Sequence, residues 1–311
     1  MTDNSLNKNQ FGEIDLIEIF SALWKKRVLI FLITSFAALG SVIYSLTLSN
    51  IYSSRALLSP SNQSETMASL MGSYSTLAGI AGINISGETG NKTQEAIARL
   101  RSIDFFENFF LPHVKLEDLM AVSKWERKDN LIKYDSELFN SKTKKWIRKV
   151  SYPKQTIPSS QEAFRVFNQI FSVTENKSTG FITLSIDHMS PYVAKDWIEI
   201  IVKNINESMR EADKDEASKS IEFLNEQAKL TKLTEIEEAI SQLLESQIQT
   251  LMLASVSEGY IFNVINSPIA SEYKSSPNRP LICILGTMLG FIIGVLSALF
   301  IHFYPRKQKG L

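Results

Sequence analysis

Two apolar runs that carry no acidic or basic residue sit near the ends of this chain. Residues 28–48 form a run of 21 and residues 281–304 a run of 24. At about 1.5 Å per helical residue, each reaches across a hydrocarbon core of about 30 Å. This argues against a purely water-soluble fold. The first run is longer than the 7–15 residue core of a signal peptide. It is preceded by 27 residues and followed by no A-x-A site, so it reads as an uncleaved signal anchor.

Lys25, Lys26 and Arg27 abut the first run, and Arg306, Lys307 and Lys309 follow the second. The opposite flanks are weaker, with Arg55 on one side and Lys274 and Arg279 on the other. The positive-inside rule then puts both termini in the cytoplasm. The expected organisation is a cytoplasmic segment 1–27, a first span 28–48, an external domain 49–280, a second span 281–304 and a cytoplasmic tail 305–311. The cytoplasmic pieces are too short for a kinase or another output domain.

The whole chain has 33 basic and 33 acidic residues, and the 232 residues of the external part have 26 and 29. This balance argues against a nucleic-acid partner driven by bulk positive charge. Cys283 is the one cysteine, so no intrachain disulfide can form. His113, His188 and His302 are far apart and match no ligand spacing, so neither a metal nor a cofactor is expected.

Residues 11–24 place Ile14, Ile17, Phe20, Leu23 and Trp24 at helical spacing, as a short helix leading into the membrane. Residues 51–59 suggest a strand. Residues 82–89 approach a phosphate-binding loop, but Glu88 stands where that loop needs lysine, which sets nucleotide binding aside. Residues 93–111 read as a helix ended by Pro112, with Phe105, Phe106, Phe109 and Phe110 as core. Residues 124–154 hold ten basic and four acidic residues around Trp125, Tyr134, Trp146 and Tyr152. Such a segment serves as a solvated surface, a glycan contact or a dock for an acidic surface.

Residues 180–188 alternate Ile182, Leu184 and Ile186 with Thr183, Ser185 and Asp187, the pattern of a half-buried strand. Ser190 and Pro191 supply a helix start. From 192 to 258 there are 67 residues with neither glycine nor proline. The expectation is a long helical arm near 191–258, which would reach about 100 Å if continuous and is expected to carry a break. Acidic positions on it, among them Glu211, Asp215 and Glu222, are candidate subunit contacts against Lys144, Lys145 and Arg148 of a neighbour. Residues 266–280 hold Pro268, Pro277 and Pro280 with Arg279, and read as an extended return to the membrane. Gly286, Gly290 and Gly294 then line one helix face in a four-residue step, a smooth stripe for packing or partner contact.

Several of these segments together resemble the Wzz family of chain length determinants, class 1 polysaccharide co-polymerases of Gram-negative inner membranes. Glu13-Ile14-Asp15-Leu16, with Leu23, Trp24 and the basic triplet, is similar to that family's entry segment. Leu77, Ala78, Gly79 and Ile80 resemble its Gly/Ala loop, from which Leu77, Gly79 and Ile80 are taken as candidate subunit contacts. Residues 180–188 with Ser190, Pro191, Ala194 and Trp197 resemble the strand that launches its long helix. Residues 276–280, running into the three glycines, resemble its second span, although prolines are sparser here.

The resemblance implies an α+β, two-span inner-membrane protein with a periplasmic α/β base and a long helical extension. It implies a homo-oligomeric ring that controls the length of the O-antigen of lipopolysaccharide. It would act with a Wzy-type polymerase, membrane lipid and the growing polysaccharide, with no nucleic acid and no chemistry of its own. Two other readings stand beside it. One is an adaptor for capsule or exopolysaccharide export that activates a separate tyrosine kinase, although the tail after Tyr304 has no tyrosine cluster. The other is an external glycan-processing enzyme, which needs a carboxylate pair that no spacing singles out.

Overall fold

The computed structural model describes residues 16–61, 88–230, 234–256 and 259–303. The contact candidates Leu77, Gly79 and Ile80, the residues 82–87 of the near-miss loop and the tail 305–311 lie outside the described residues. The chain opens with α1 (Leu16–Lys25), α2 (Arg27–Thr47), β1 (Tyr52–Pro60) and α3 (Glu88–Leu100). After a short irregular helical stretch come α4 (Leu116–Met120), β2 (Val122–Glu126), β3 (Leu131–Tyr134), β4 (Phe139–Asn140) and β5 (Lys145–Trp146). They are followed by α5 (Ser160–Ile170), β6 (Phe171–Glu175), β7 (Ile182–His188), α6 (Pro191–Leu230), α7 (Thr234–Val256), β8 (Phe262–Asn266) and α8 (Arg279–Phe303). Two compact units result: Met1–Ser49 with Ser276–Leu311, and Asn50–Ser275.

The first unit holds α2 and α8, the two described helices long and apolar enough to cross a membrane. They coincide with the two apolar runs. α8 begins two residues earlier than the run, at Arg279, because Pro280 fits the first turn, where its missing N–H has no acceptor to lose.

The second unit is built on an antiparallel sheet of order β6-β7-β1-β8. β7 follows its sequence pattern: Ile182, Leu184 and Ile186 are buried, while Asp187 is exposed. β1 pairs with it from Tyr52 opposite His188 to Leu58 opposite Ile182, and buries Ala56 and Leu58 on the same core. The first half of α6 lays Trp197, Ile198, Ile201 and Ile205 onto that core. Burial of this continuous apolar surface drives the assembly.

Aromatic rings complete the core. The stretch expected to be one helix over 93–111 breaks after Leu100. Ser102 caps a new start, its Oγ accepting from the Phe105 N–H at 3.1 Å. A π turn spans Phe106–Phe110 and a 3-10 turn Leu111–His113, so Pro112 sits inside the latter turn. The rings of Phe106 and Phe110 come to lie 5.1 and 4.7 Å from that of Phe167 on α5. Packing of these rings outweighs regular helical winding.

The stretch 191–258 is divided into two described helices. α6 ends at Leu230 and α7 runs from Thr234 to Val256. Tyr260 donates its hydroxyl proton to Asp213, and the Ile261 and Phe262 N–H groups donate to Asn206 Oδ1 at 2.8 and 2.9 Å. The chain that leaves along α6 has therefore come back beside it, and α7 packs antiparallel to α6. A straight helix would leave Ile240 and Ala254 in water; the hairpin buries both, with Ala217 of α6.

Strand β8 has no strand pattern in the sequence. Its residues lack alternation, since only Phe262 is buried and Asn263 to Asn266 are exposed. It adds to the sheet as an edge, where one-sided burial suffices. The extended return is thus limited to residues 267–278.

Candidate functional site

The glycine stripe of α8 is a helix seam within the chain. A Cβ placed on Gly286 would lie well inside 3.0 Å of Ser41 Cβ, and one on Gly290 equally close to Ala37 Cβ. At Gly294 it would stand 3.3 Å from Ile30 Cα. The partner residues descend from 41 to 30 as the glycines ascend, so α2 and α8 are antiparallel. Close backbone approach of this kind compensates for the lack of a hydrophobic drive between helices in lipid. Ala298 continues the stripe and is fully buried.

The return segment ends beside this pair. Arg279 Nη2 donates to the Leu48 carbonyl at 3.4 Å, joining the start of α8 to the end of α2. In the second unit, Ser275 N donates to Ile51 O at 2.8 Å, so that unit begins and ends at one point. Pro268 is buried, Pro277 half-buried and Pro280 exposed.

The charged contact candidates separate into two kinds. Lys144 and Lys145 are exposed on the β4–β5 hairpin, with Lys144 at a positive φ of 51°. Glu211 and Glu222 are exposed on α6, and Asp215 pairs with Lys219 one turn on, at 2.7 Å. Arg148 is different. Its guanidinium bonds both oxygens of Glu162, at 2.7 and 2.8 Å, and the carbonyls of Gln155 and Thr156. Its guanidinium is therefore engaged within the chain, unlike those exposed charges.

The fork from Arg148 holds the Glu162 carboxyl down at about 2, against the opposing pull of desolvation. A depressed carboxyl stabilises the fold above its ordinary pKa near 4.3, and that contribution is lost as pH falls toward 2. Arg148→Met is therefore expected to melt below the native chain at pH 7, and the gap should close as pH falls from about 4.3 to 2. Thermal melts of both proteins across that range check this; a gap constant with pH would refute it.

Three polar side chains organise the second unit. Asn206 is buried on α6 and its amide makes four bonds. Its Nδ2 donates to Val202 O and Phe262 O, and its Oδ1 accepts from Ile261 N and Phe262 N. Asp213 receives Lys92 of α3 at 2.6 Å and the Tyr260 hydroxyl, with burial and Asp213 raising the phenol's pKa. His188 ends β7, and its Nδ1 accepts from Ser190 N at 3.0 Å. That leaves the proton on Nε2, which donates to Asp118 O at 2.9 Å. Burial lowers its pKa, so the ring is neutral. A polar residue breaking an apolar helical face, as Asn206 does between Ile205 and Met209, was the available signal.

His188 gives a second pH test. Neutral in the fold and protonated more readily when unfolded, it stabilises above about pH 6.5 and loses that contribution as pH falls. His188→Gln should flatten the decline in melting temperature between about pH 6.5 and 5. An unchanged slope would assign the decline to other groups.

Among the described residues, no group of three or more His, Cys, Asp or Glu side chains is placed to hold a metal ion. Residues 12–110 match the family model of Wzz, chain length determinant protein. The chain resembles the Wzz family of chain length determinants. The match begins before α1 and ends at Phe110, so it takes in the Gly/Ala loop and the first span. No curated protein sequence matches the chain. Among solved structures, it is similar to a full-length bacterial polysaccharide co-polymerase, with 12% identity over 94% of this chain and 99% of the other, at a TM-score of 0.38. It is also similar to a fragment of WzzB, the polysaccharide co-polymerase from Salmonella Typhimurium. There the identity is 14% over 73% of this chain and 100% of the other, at a TM-score of 0.27.

Proposed function

We propose that this chain is a non-catalytic regulator of polysaccharide chain length, acting on the O-antigen of lipopolysaccharide as a homo-oligomeric scaffold for a Wzy-type polymerase. The observation that carries the reading is the Wzz match over residues 12–110. The two spanning helices and the basic residues at their outer ends support an inner-membrane protein with cytoplasmic termini. The second unit, from Asn50 to Ser275, is then periplasmic.

Self-association is supported by the α6–α7 hairpin, which leaves Phe223, Leu230, Leu243 and Met252 more than half exposed. Apolar side chains concentrated on one element are a common mark of an interface. Lys144 and Lys145 against Glu211 and Glu222 of a neighbour remain a compatible charged pairing. The growing polysaccharide is a further partner, with the basic and aromatic residues of 124–154 as its candidate surface.

Cross-linking in native membranes tests the scaffold. The expected products are multiples of the 35.1 kDa chain that retain the polymerase on purification. Leu243→Lys should depress the higher multiples without removing the chain from the membrane. A chain that stays monomeric, or purified protein that cleaves the polymer, would refute the reading.

A further inference from the structure

We propose that the groove between α1, α2 and α8 is a binding site for one anionic phospholipid, with its phosphate on Arg27 and an acyl chain in the groove. The inference rests on membrane insertion and goes beyond length control. The groove has a volume of about 480 Å³, within the range of ligand pockets. Leu23, Phe31, Phe291 and Val295 form its walls. The Thr34 hydroxyl on its lining donates to Ile30 O at 2.8 Å, so its proton is engaged with the helix backbone. The body of the groove therefore suits hydrocarbon.

Its rim is of opposite character. The Arg27 guanidinium lies over the Trp24 indole, 5.1 Å from the ring centroid. That cation–π contact holds the charge at the groove mouth, where a free arginine would turn outward to water. Lys25 and Lys26 precede it; neither α2 nor α8 contains an acid, and α1 contains one, Glu18, against Lys25, Lys26 and Arg27. A fixed guanidinium above an apolar slot matches a phosphate ester with an attached chain, because its planar donors grip phosphate oxygens in pairs. Basic pockets between spanning helices bind anionic headgroups by the same logic. Tryptophan at this depth is also an ordinary interfacial anchor, which places the rim at the level of the headgroups.

Trp24 supplies the measurement. It is 62% exposed, and Trp125, Trp146 and Trp197 all lie in the other unit. The full-length chain is reconstituted in phosphatidylcholine vesicles containing a minor fraction of brominated lipid, either phosphatidylglycerol or phosphatidylcholine. Subtracting the spectrum of Trp24→Phe isolates the Trp24 signal. Brominated phosphatidylglycerol is expected to quench Trp24 about fivefold more effectively than brominated phosphatidylcholine. Arg27→Gln should abolish that preference. Val295→Phe, which fills the groove and keeps all three basic residues, should abolish it too. In both variants, quenching by brominated phosphatidylcholine should persist as the sign of insertion. Equal quenching by the two lipids in the native chain would overturn the site. So would a preference that survives either substitution, since it would reflect diffuse attraction to the basic triplet or a site outside the groove. Loss of quenching by both lipids in the native chain would overturn the membrane placement itself.

Discussion

Gly290→Leu is expected to force α2 and α8 apart and to destabilise the chain. Even a single methyl group at Gly290 would overlap Ala37 Cβ, and Thr34 Cα stands 3.5 Å away. Carbon atoms pack at about 3.5–4.0 Å, so the helices must separate by about an ångström. Overpacking of this kind costs about 1–3 kcal/mol, and a backbone contact belongs at the upper end. The melting temperature of the full chain in lipid nanodiscs should fall by about 5–10 °C. Gly40 is the internal control, because a Cβ there meets nothing within 4 Å. Gly40→Leu should stay within about 0.5 kcal/mol of the native chain. Gly294→Ala should fall between the two, since its nearest contact is 3.3 Å. If Gly40→Leu and Gly290→Leu behave alike, the seam is not where α2 and α8 meet.

Asn206→Ala should produce the largest loss of stability in the second unit. Its removal leaves the Ile261 and Phe262 N–H groups and the Phe262 carbonyl without the partner that holds them. Each buried polar group left unpaired costs about 1–3 kcal/mol, which gives a total of about 4 kcal/mol or more. These groups are the start of β8, so the loss is local before it is global. Hydrogen exchange at the Ile261 and Phe262 amides should accelerate about a hundredfold or more. Asn263→Ala, at an exposed position on the same strand, should leave exchange at both amides nearly unchanged. Equal protection in Asn206→Ala and the native chain would show that β8 is held by the sheet alone.

Elements with strong periodicity were legible in the sequence. The two long apolar helices follow from uninterrupted apolar runs, and β7 from its strict alternation between Ile182 and Asp187. The glycine step predicted a packed face, and the close approaches at Gly286 and Gly290 give that face its partner on α2. What could not be read depends on contacts between distant residues. The reversal between α6 and α7 leaves no proline or glycine in the sequence, because its driving force is burial of Ile240 and Ala254 against α6. β8 lacks alternation because it is an edge strand with one buried side chain. Arg148 looked like one more surface cation, and only the position of Glu162, 14 residues on, reveals its internal role. The winding around Phe106 and Phe110 is set by Phe167, about sixty residues away. Aromatic content announced a core there without announcing its geometry.

On the proposed function, this chain sets polymer length without making or cutting polymer. That role is tested most directly by sizing surface lipopolysaccharide on a gel from the host with the gene, without it, and with it restored. Removal should turn a clustered ladder into an unclustered, mostly short distribution, and restoration of the native chain should bring the cluster back. A ladder unchanged by removal would contradict control of O-antigen length, and loss of all polymer on removal would point to a role in synthesis instead.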